Sequence, residues 1–158
     1  MRKITTVIVL ALTLTTVSPA PAGADVTAFL GATLTPSSRA VRGAAVGISL
    51  LVVGFEFEYA STAEDLVEGA PSLRTGMING LIQTPTRTQF YLTAGGGLFR
   101  EQLGAFSETS IGTNIGGGIK LGLMGPLRLR LDYRIFHLRG NALHKNPQRV
   151  YVGANLMF

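Results

Sequence analysis

The 158-residue chain contains no cysteine and no tryptophan. Without cysteine there is no disulfide framework and no site for a lipoprotein anchor, so the fold must stand on burial and hydrogen bonding alone. Past the N-terminal segment no stretch approaches 18 uninterrupted apolar residues, which excludes a helical membrane protein. Charge is sparse, at 15% of residues. The formal net charge of +5 falls to +3 once Arg2 and Lys3 are set aside, too diffuse to suggest nucleic acid. There are only two histidines, His137 and His144, placed apart, which makes a poor zinc site. Leu138-Arg139 and Lys145-Asn146 follow them, so no H-x-S pairing and no orienting carboxylate accompanies either. Gly116-x-Gly118 has Leu121 where a G-x-G-x-x-G loop needs glycine, and no G-K-[ST] occurs. No heptad or solenoid period is present. Nothing in the chain calls for a cofactor or a metal, and no catalytic constellation is complete.

What is there begins at the N-terminus. Met1-Arg2-Lys3 is a basic n-region, Ile4 to Val17 an apolar h-region too short to span, and Ala22-Gly23-Ala24 a small-residue cleavage site. Residues 1–24 are therefore expected to be a secretory signal peptide cut after Ala24. Residues 25–158, about 134 in number, form a single domain by length.

That domain alternates. In Leu127 to Ile135 the odd positions carry Leu, Leu, Leu, Tyr and Ile, while positions 128, 130, 132 and 134 carry Arg, Arg, Asp and Arg. Period two over this length places the two sets on opposite faces of one strand. Seven further segments behave likewise. The expected outward sets are Val26 to Leu34 on even positions, Ala44 to Leu50 on even positions, and Phe55, Phe57 and Tyr59 on odd ones. The parity change between Leu50 and Phe55 requires a tight turn near residues 52–54. A short fourth strand is expected over Met77 to Gln83, a fifth from Gln89 to about Arg100, a sixth from Thr109 to Leu123, and a last one with Val150, Val152, Ala154, Leu156 and Phe158 outward. The longest connection is expected over Ser61 to Gly76, as a solvated loop in preference to a capped helical turn.

Eight strands of nine to eleven residues, joined alternately by short turns and longer polar loops, are the pattern of an all-β, closed eight-stranded antiparallel up-and-down transmembrane β-barrel. Closure removes the unpaired edges that lipid would leave unsatisfied. A soluble ligand-binding barrel is disfavoured because the outward faces would expose a continuous apolar band. In an eight-stranded barrel the third and seventh strands face each other across an interior just wide enough for side chains to fill. Glu56 and Glu58 should therefore meet Arg128, Arg130 and Arg134, with Asp132 and Lys120 nearby, in an interior polar network that plugs the barrel. An ion-selective pore lined with arginine is the alternative. Gly95-Gly96-Gly97 and Gly116-Gly117-Gly118 are expected to oppose one another about a hairpin centre near Phe106-Ser107, thinning and bending the wall or opening a recess for a lipid chain.

The signal peptide, the eight segments, Gly116-Gly117-Gly118-Ile119-Lys120, the Leu127 to Arg134 strand and the terminal Phe158 together resemble the small bacterial outer-membrane β-barrel domain family, the opacity and porin-like, OmpA-transmembrane-like group. Gly153-x-x-Leu156-x-Phe158 resembles the C-terminal signal that such barrels present to the barrel-assembly machinery, although Tyr151 stands where a more polar residue is usual. The resemblance implies residence in a bacterial outer membrane, with membrane lipid, the assembly machinery and a surface ligand reached through the external loops as partners. Its members include structural proteins, adhesins, narrow channels and lipid-modifying enzymes, so the fold does not choose among these roles. The reading for this chain is a structural or surface-interaction protein without enzymatic activity.

Overall fold

The computed structural model describes residues 22–158, and most of the expected signal peptide lies outside the described residues. Eight strands follow one another: β1 (Ala22–Thr33), β2 (Arg39–Leu50), β3 (Val53–Thr62), β4 (Ser72–Gln83), β5 (Gln89–Leu103), β6 (Phe106–Gly122), β7 (Leu127–Leu138) and β8 (Gln148–Met157). Each pairs antiparallel with its neighbour in sequence, and β8 pairs with β1 to close the barrel. β1 begins three residues ahead of the expected cleavage point.

Register can be followed once round the wall. Gly23 pairs with Ser49, Gly54 with both Ser49 and Leu81, and the path continues through Thr93, Gly116, Arg134 and Arg149 to Thr33. It returns to β1 ten residues beyond its start, a stagger that closure of a tilted sheet requires.

The outward parity expected for β1, β2, β3, β7 and β8 is the one observed. Leu30, Ile48, Phe55, Ile78, Leu92 and Ile115 are among the large apolar side chains exposed on the outer wall. Their opposite-parity neighbours are buried or half-buried, because one face of each strand must fill the lumen while the other meets an apolar surround.

Three connections differ from expectation. The β2–β3 turn is 51–52, one residue early, with Leu51 at φ 51° in the left-handed region. β4 starts at Ser72, so the long connection shrinks to 63–71; inside it Asp65 accepts from the amides of Val67 and Glu68 and forms a turn in place of a helix. The Ser72 to Gly76 segment carries an inverted pattern, with Leu73 and Thr75 buried and Arg74 outward, so its alternation does not resemble that of the other strands. Lastly, β5 and β6 run on to Leu103 and Phe106, leaving only 104–105 as a turn, which Gly104 makes possible at φ 56°.

That tight turn also moves the hairpin centre. The two glycine runs do not oppose one another: Gly95, Gly96 and Gly97 face Asn114, Thr113 and Gly112, and Gly116, Gly117 and Gly118 face Thr93, Leu92 and Tyr91. Their use is close approach. A Cβ on Gly118 would collide with the Leu131 carbonyl and stand 2.6 Å from the Tyr91 hydroxyl, so glycine there lets the Tyr91 ring lie inside the wall.

The lumen is filled in two zones. Leu73, Met77, Phe99, Phe136, Leu138 and Ala142 form an apolar cluster beneath the 63–71 and 139–147 connections. Below it lies a charged zone. Phe29 and Tyr151 stack at 4.0 Å against Val41 and Ala60 to one side.

Candidate functional site

Glu56 and Glu58 are two residues apart on β3 and so share its inner face; Arg130, Asp132 and Arg134 share that of β7. Three strands lie between β3 and β7 in either direction, which places them on opposite walls. The lumen is narrow enough for long side chains to meet across it. Arg130 holds Glu56 in a two-pronged grip, through Nη1 to Oε2 and through Nη2 to Oε1 at 3.1 Å. Arg134 Nη2 reaches Glu56 Oε1 at 3.0 Å and Glu58 Oε2 at 3.1 Å, and its Nε donates to Asp132 Oδ1 at 2.9 Å. Arg130 Nη2 lies 3.1 Å from Asp132 Oδ2.

Two partners that the strand pattern did not single out complete the charge balance. Arg149 on β8 donates from Nη1 to Glu58 Oε1 at 3.1 Å and from Nη2 to Thr75 Oγ1 at 3.2 Å. Asp25 on β1 accepts from Lys120 Nζ at 2.7 Å. Two tyrosines add hydroxyls: Tyr91 donates to Asp132 and accepts from Arg130 Nε at 2.8 Å, and Tyr151 donates to Glu58 Oε2 at 3.1 Å. Tyr151, out of place in the C-terminal pattern, thus faces the lumen as part of its polar lining. Each of these four residues sits beside an outward residue already identified, Val26, Leu92, Val150 or Val152. Parity alone was the signal that could have found them.

Arg128 is not brought into this network. It lies half-buried near the chain-terminal rim, donating to Gln89 Oε1 and to Met157 Sδ. With Arg128 outside and Asp25 and Arg149 inside, Lys120, Arg130, Arg134 and Arg149 face Asp25, Glu56, Glu58 and Asp132, so the buried charges cancel. Cancellation matters because an uncompensated ion in this setting costs several kcal/mol on the order of the desolvation penalty. The void beside Lys120, lined also by Asp25, Glu56 and Gln83, measures about 10 Å³, the size of one water.

The remaining sequence-derived residues lie elsewhere. Gly153 faces inward, where a Cβ would stand 2.9 Å from Thr27 Cγ2, while Leu156 and Phe158 face out. Phe158 is tied to β1 by its amide to the Ala24 carbonyl at 2.8 Å and by the reverse bond at 3.2 Å. His137 is exposed on β7 with Nδ1 2.9 Å from Asn146 Oδ1, and His144 lies in the 139–147 connection. That connection is held down: Leu143 N donates to Glu101 Oε2 at 2.8 Å and Asn141 N to Glu108 Oε1 at 3.2 Å. By contrast the tip of 63–71 presents Leu66 and Val67, the latter 97% exposed.

A closed eight-stranded antiparallel barrel with an apolar outer belt and a packed polar lumen is the architecture of the small outer-membrane barrels. Solved structures agree on that fold. The chain is similar to the N-terminal β-barrel domain of Pseudomonas aeruginosa OprF, at 14% identity and TM-score 0.68 over 86% of this chain and 97% of that one. It is similar to Neisserial surface protein A at 18% identity and TM-score 0.59, over 86% and 94%. The outer membrane enzyme PagL aligns at 13% identity and TM-score 0.54, over 84% and 98%. No protein-family model matches the sequence, and no curated protein sequence matches it.

Proposed function

We propose that the chain is exported through a signal peptide cut after Ala24 and resides in a bacterial outer membrane as a closed, non-conducting barrel. Its role is structural and interactive, carried by its external connections, and it is not an enzyme. The observation that supports a plug is the balanced network of Arg130, Arg134, Arg149 and Lys120 with Glu56, Glu58, Asp132 and Asp25, roofed by the Leu73–Met77–Phe99–Phe136–Leu138 cluster. Hydrated ions would have to break buried pairs to pass. Protein reconstituted in planar bilayers should give no steady conductance. A substantial steady current abolished by Arg130→Ala would replace the plug with a channel.

Surface contacts fit the 63–71 connection best, because exposed Leu66 and Val67 offer apolar anchors on a polar stalk. Assembly is read from Gly153, Leu156 and Phe158, with the barrel-assembly machinery as partner during insertion. Phe158→Ser should lower insertion in cells, followed as the heat-modifiable band of unboiled protein, more than it lowers the stability of barrel already folded. Unchanged insertion would remove that assignment.

A further inference from the structure

The outer wall is not uniformly greasy. One row of outward side chains crosses it by register from β7 to β3: Leu129, Ala154, Ala28, Ala44 and Tyr59. Three consecutive alanines between a leucine and a tyrosine leave a trench, and an open recess of about 960 Å³ lies along it. Four strand spacings make the trench about 19 Å long, the reach of a long acyl chain. Because barrel strands tilt, the row climbs obliquely along the wall.

The next outward row, two residues further along each strand, is apolar over β7, β8 and β1, at Leu131, Val152 and Leu30, and turns basic from β2 to β5. Arg42 lies beside Ala44 on β2, pairs with Ser61 on β3, and Ser61 pairs with Arg74 on β4, which in turn pairs with Arg100 on β5. Both Arg42 and Arg74 line the recess. No carboxylate lies within 4.0 Å of either guanidinium among the described residues. Glu64, which shares the adjoining hollow, instead accepts from the Gly104 amide at 2.6 Å. Cations placed at the head of an apolar trench call for an anion that arrives with the surround and carries its own chain.

We propose that this face is a seat for one phosphate-bearing lipid, its phosphate held between Arg42 and Arg74 with Ser61 donating, and one acyl chain laid along Ala44, Ala28 and Ala154. A guanidinium offers paired N–H donors to phosphate oxygens, so two of them flanking a hydroxyl suit a phosphate monoester. The seat rests on the reading that the outer wall faces lipid.

The test uses detergent-extracted full-length protein in native mass spectrometry, titrated with dipalmitoyl phosphatidic acid, dipalmitoyl phosphatidylcholine and inorganic phosphate. Wild type should retain one phosphatidic acid with a preference over phosphatidylcholine of roughly tenfold to thirtyfold, as two basic residues near a lipid surface supply. Arg42→Gln with Arg74→Gln should abolish that preference. Ala28→Leu with Ala154→Leu, filling the trench, should weaken retention of both lipids. Each variant is first shown to keep the heat-modifiable folded band, so a folding defect is read separately. Equal retention of the two lipids by wild type, or a preference that survives the arginine substitutions, overturns the seat. Complete displacement of phosphatidic acid by millimolar inorganic phosphate overturns it too, leaving an anion site without a chain. Failure of wild type to insert into phosphatidylcholine vesicles would instead remove the outer-membrane reading beneath it.

Discussion

Between β3, β7 and β8 the lumen is filled with ions: two carboxylates on one wall, two guanidinia and a carboxylate on the other, and Arg149 beside them. Beneath the 139–147 connection it is filled with hydrocarbon, from Leu73 and Met77 to Phe99, Phe136 and Ala142. Arg149 belongs to both zones, since its guanidinium pairs with Glu58 and lies 4.5 Å from the centre of the Phe136 ring. The two fillings close the same space by different means. The ionic zone draws strength from pairing and is intolerant of removing one partner, whereas the apolar zone depends on volume and tolerates any change that keeps it.

Substitutions can separate the two. The largest effect is expected from Arg130→Leu, which withdraws the two-pronged partner of Glu56 and should cost about 3 to 5 kcal/mol of unfolding free energy in lipid vesicles. Adding Glu56→Leu restores charge balance and should recover at least half of that loss. A double variant as unstable as the sum of the singles would mean that the ions are not coupled. In the apolar zone, Phe99→Ala should cost about 3 kcal/mol by opening a cavity. Combined with Arg130→Leu it should add to within about 0.5 kcal/mol, because the two side chains share no partner. Strong coupling would show that the zones act as one.

On the outer wall, Leu131→Arg places a cation against lipid and should cost about 2 to 4 kcal/mol. The neighbouring inward Arg130 bears the same chemistry, so the pair isolates direction from composition. The smallest effect concerns Glu101, beyond the apolar belt, where Arg100 and Gln102 face out. Burial pushes its carboxyl above the usual carboxylate range, against the pull of the Leu143 amide, His144 and Arg39. The folded state therefore holds this proton more tightly than the unfolded one, and stability falls as pH rises from the ordinary carboxylate value through the raised one. Glu101→Gln keeps an oxygen for the Leu143 amide and should flatten that slope, raising stability at neutral pH by less than about 1 kcal/mol. An unchanged slope measured by urea unfolding between pH 4 and 7, a window set around the roughly 4.3 of an unperturbed glutamate, would place the titration elsewhere.

The ionic zone was legible in the sequence because its polarity is opposite to that of the outer wall. In Leu127 to Ile135 every inward residue is charged and every outward one apolar, so the period shows. The apolar zone was not, because Phe99 between Leu98 and Arg100, or Phe136 between Ile135 and His137, leaves no contrast with an outward hydrocarbon next to it. The same cause hid Ser72 to Gly76, where the inside is greasier than the outside. Arg128 was misplaced by depth: it has the right parity but sits near the rim, where Gln89 and Met157 are its neighbours. Parity reports direction and carries no information about height. The β5–β6 hairpin centres two residues earlier than its sequence suggests, a shift of four in register, because Gly104 permits a turn too short to leave a polar loop.

The seam where β8 meets β1 has a further consequence, in time. Seven of the eight strand pairings join neighbours in sequence and need only short loops to close, whereas pairing β8 with β1, from Asp25 with Met157 to Thr33 with Arg149, brings together strands from the two ends of the described chain. Contacts of such separation form late, because the entropy of closing the large ring must be met before they reward it. The species that precedes closure is a curled sheet with two open edges, each a template for another chain. Its lifetime is governed by the last bonds to form, those of Asp25 to Thr33 with Arg149 to Met157. The rate at which this barrel escapes aggregation is thus set at one seam, and a change there alters yield without altering the finished wall.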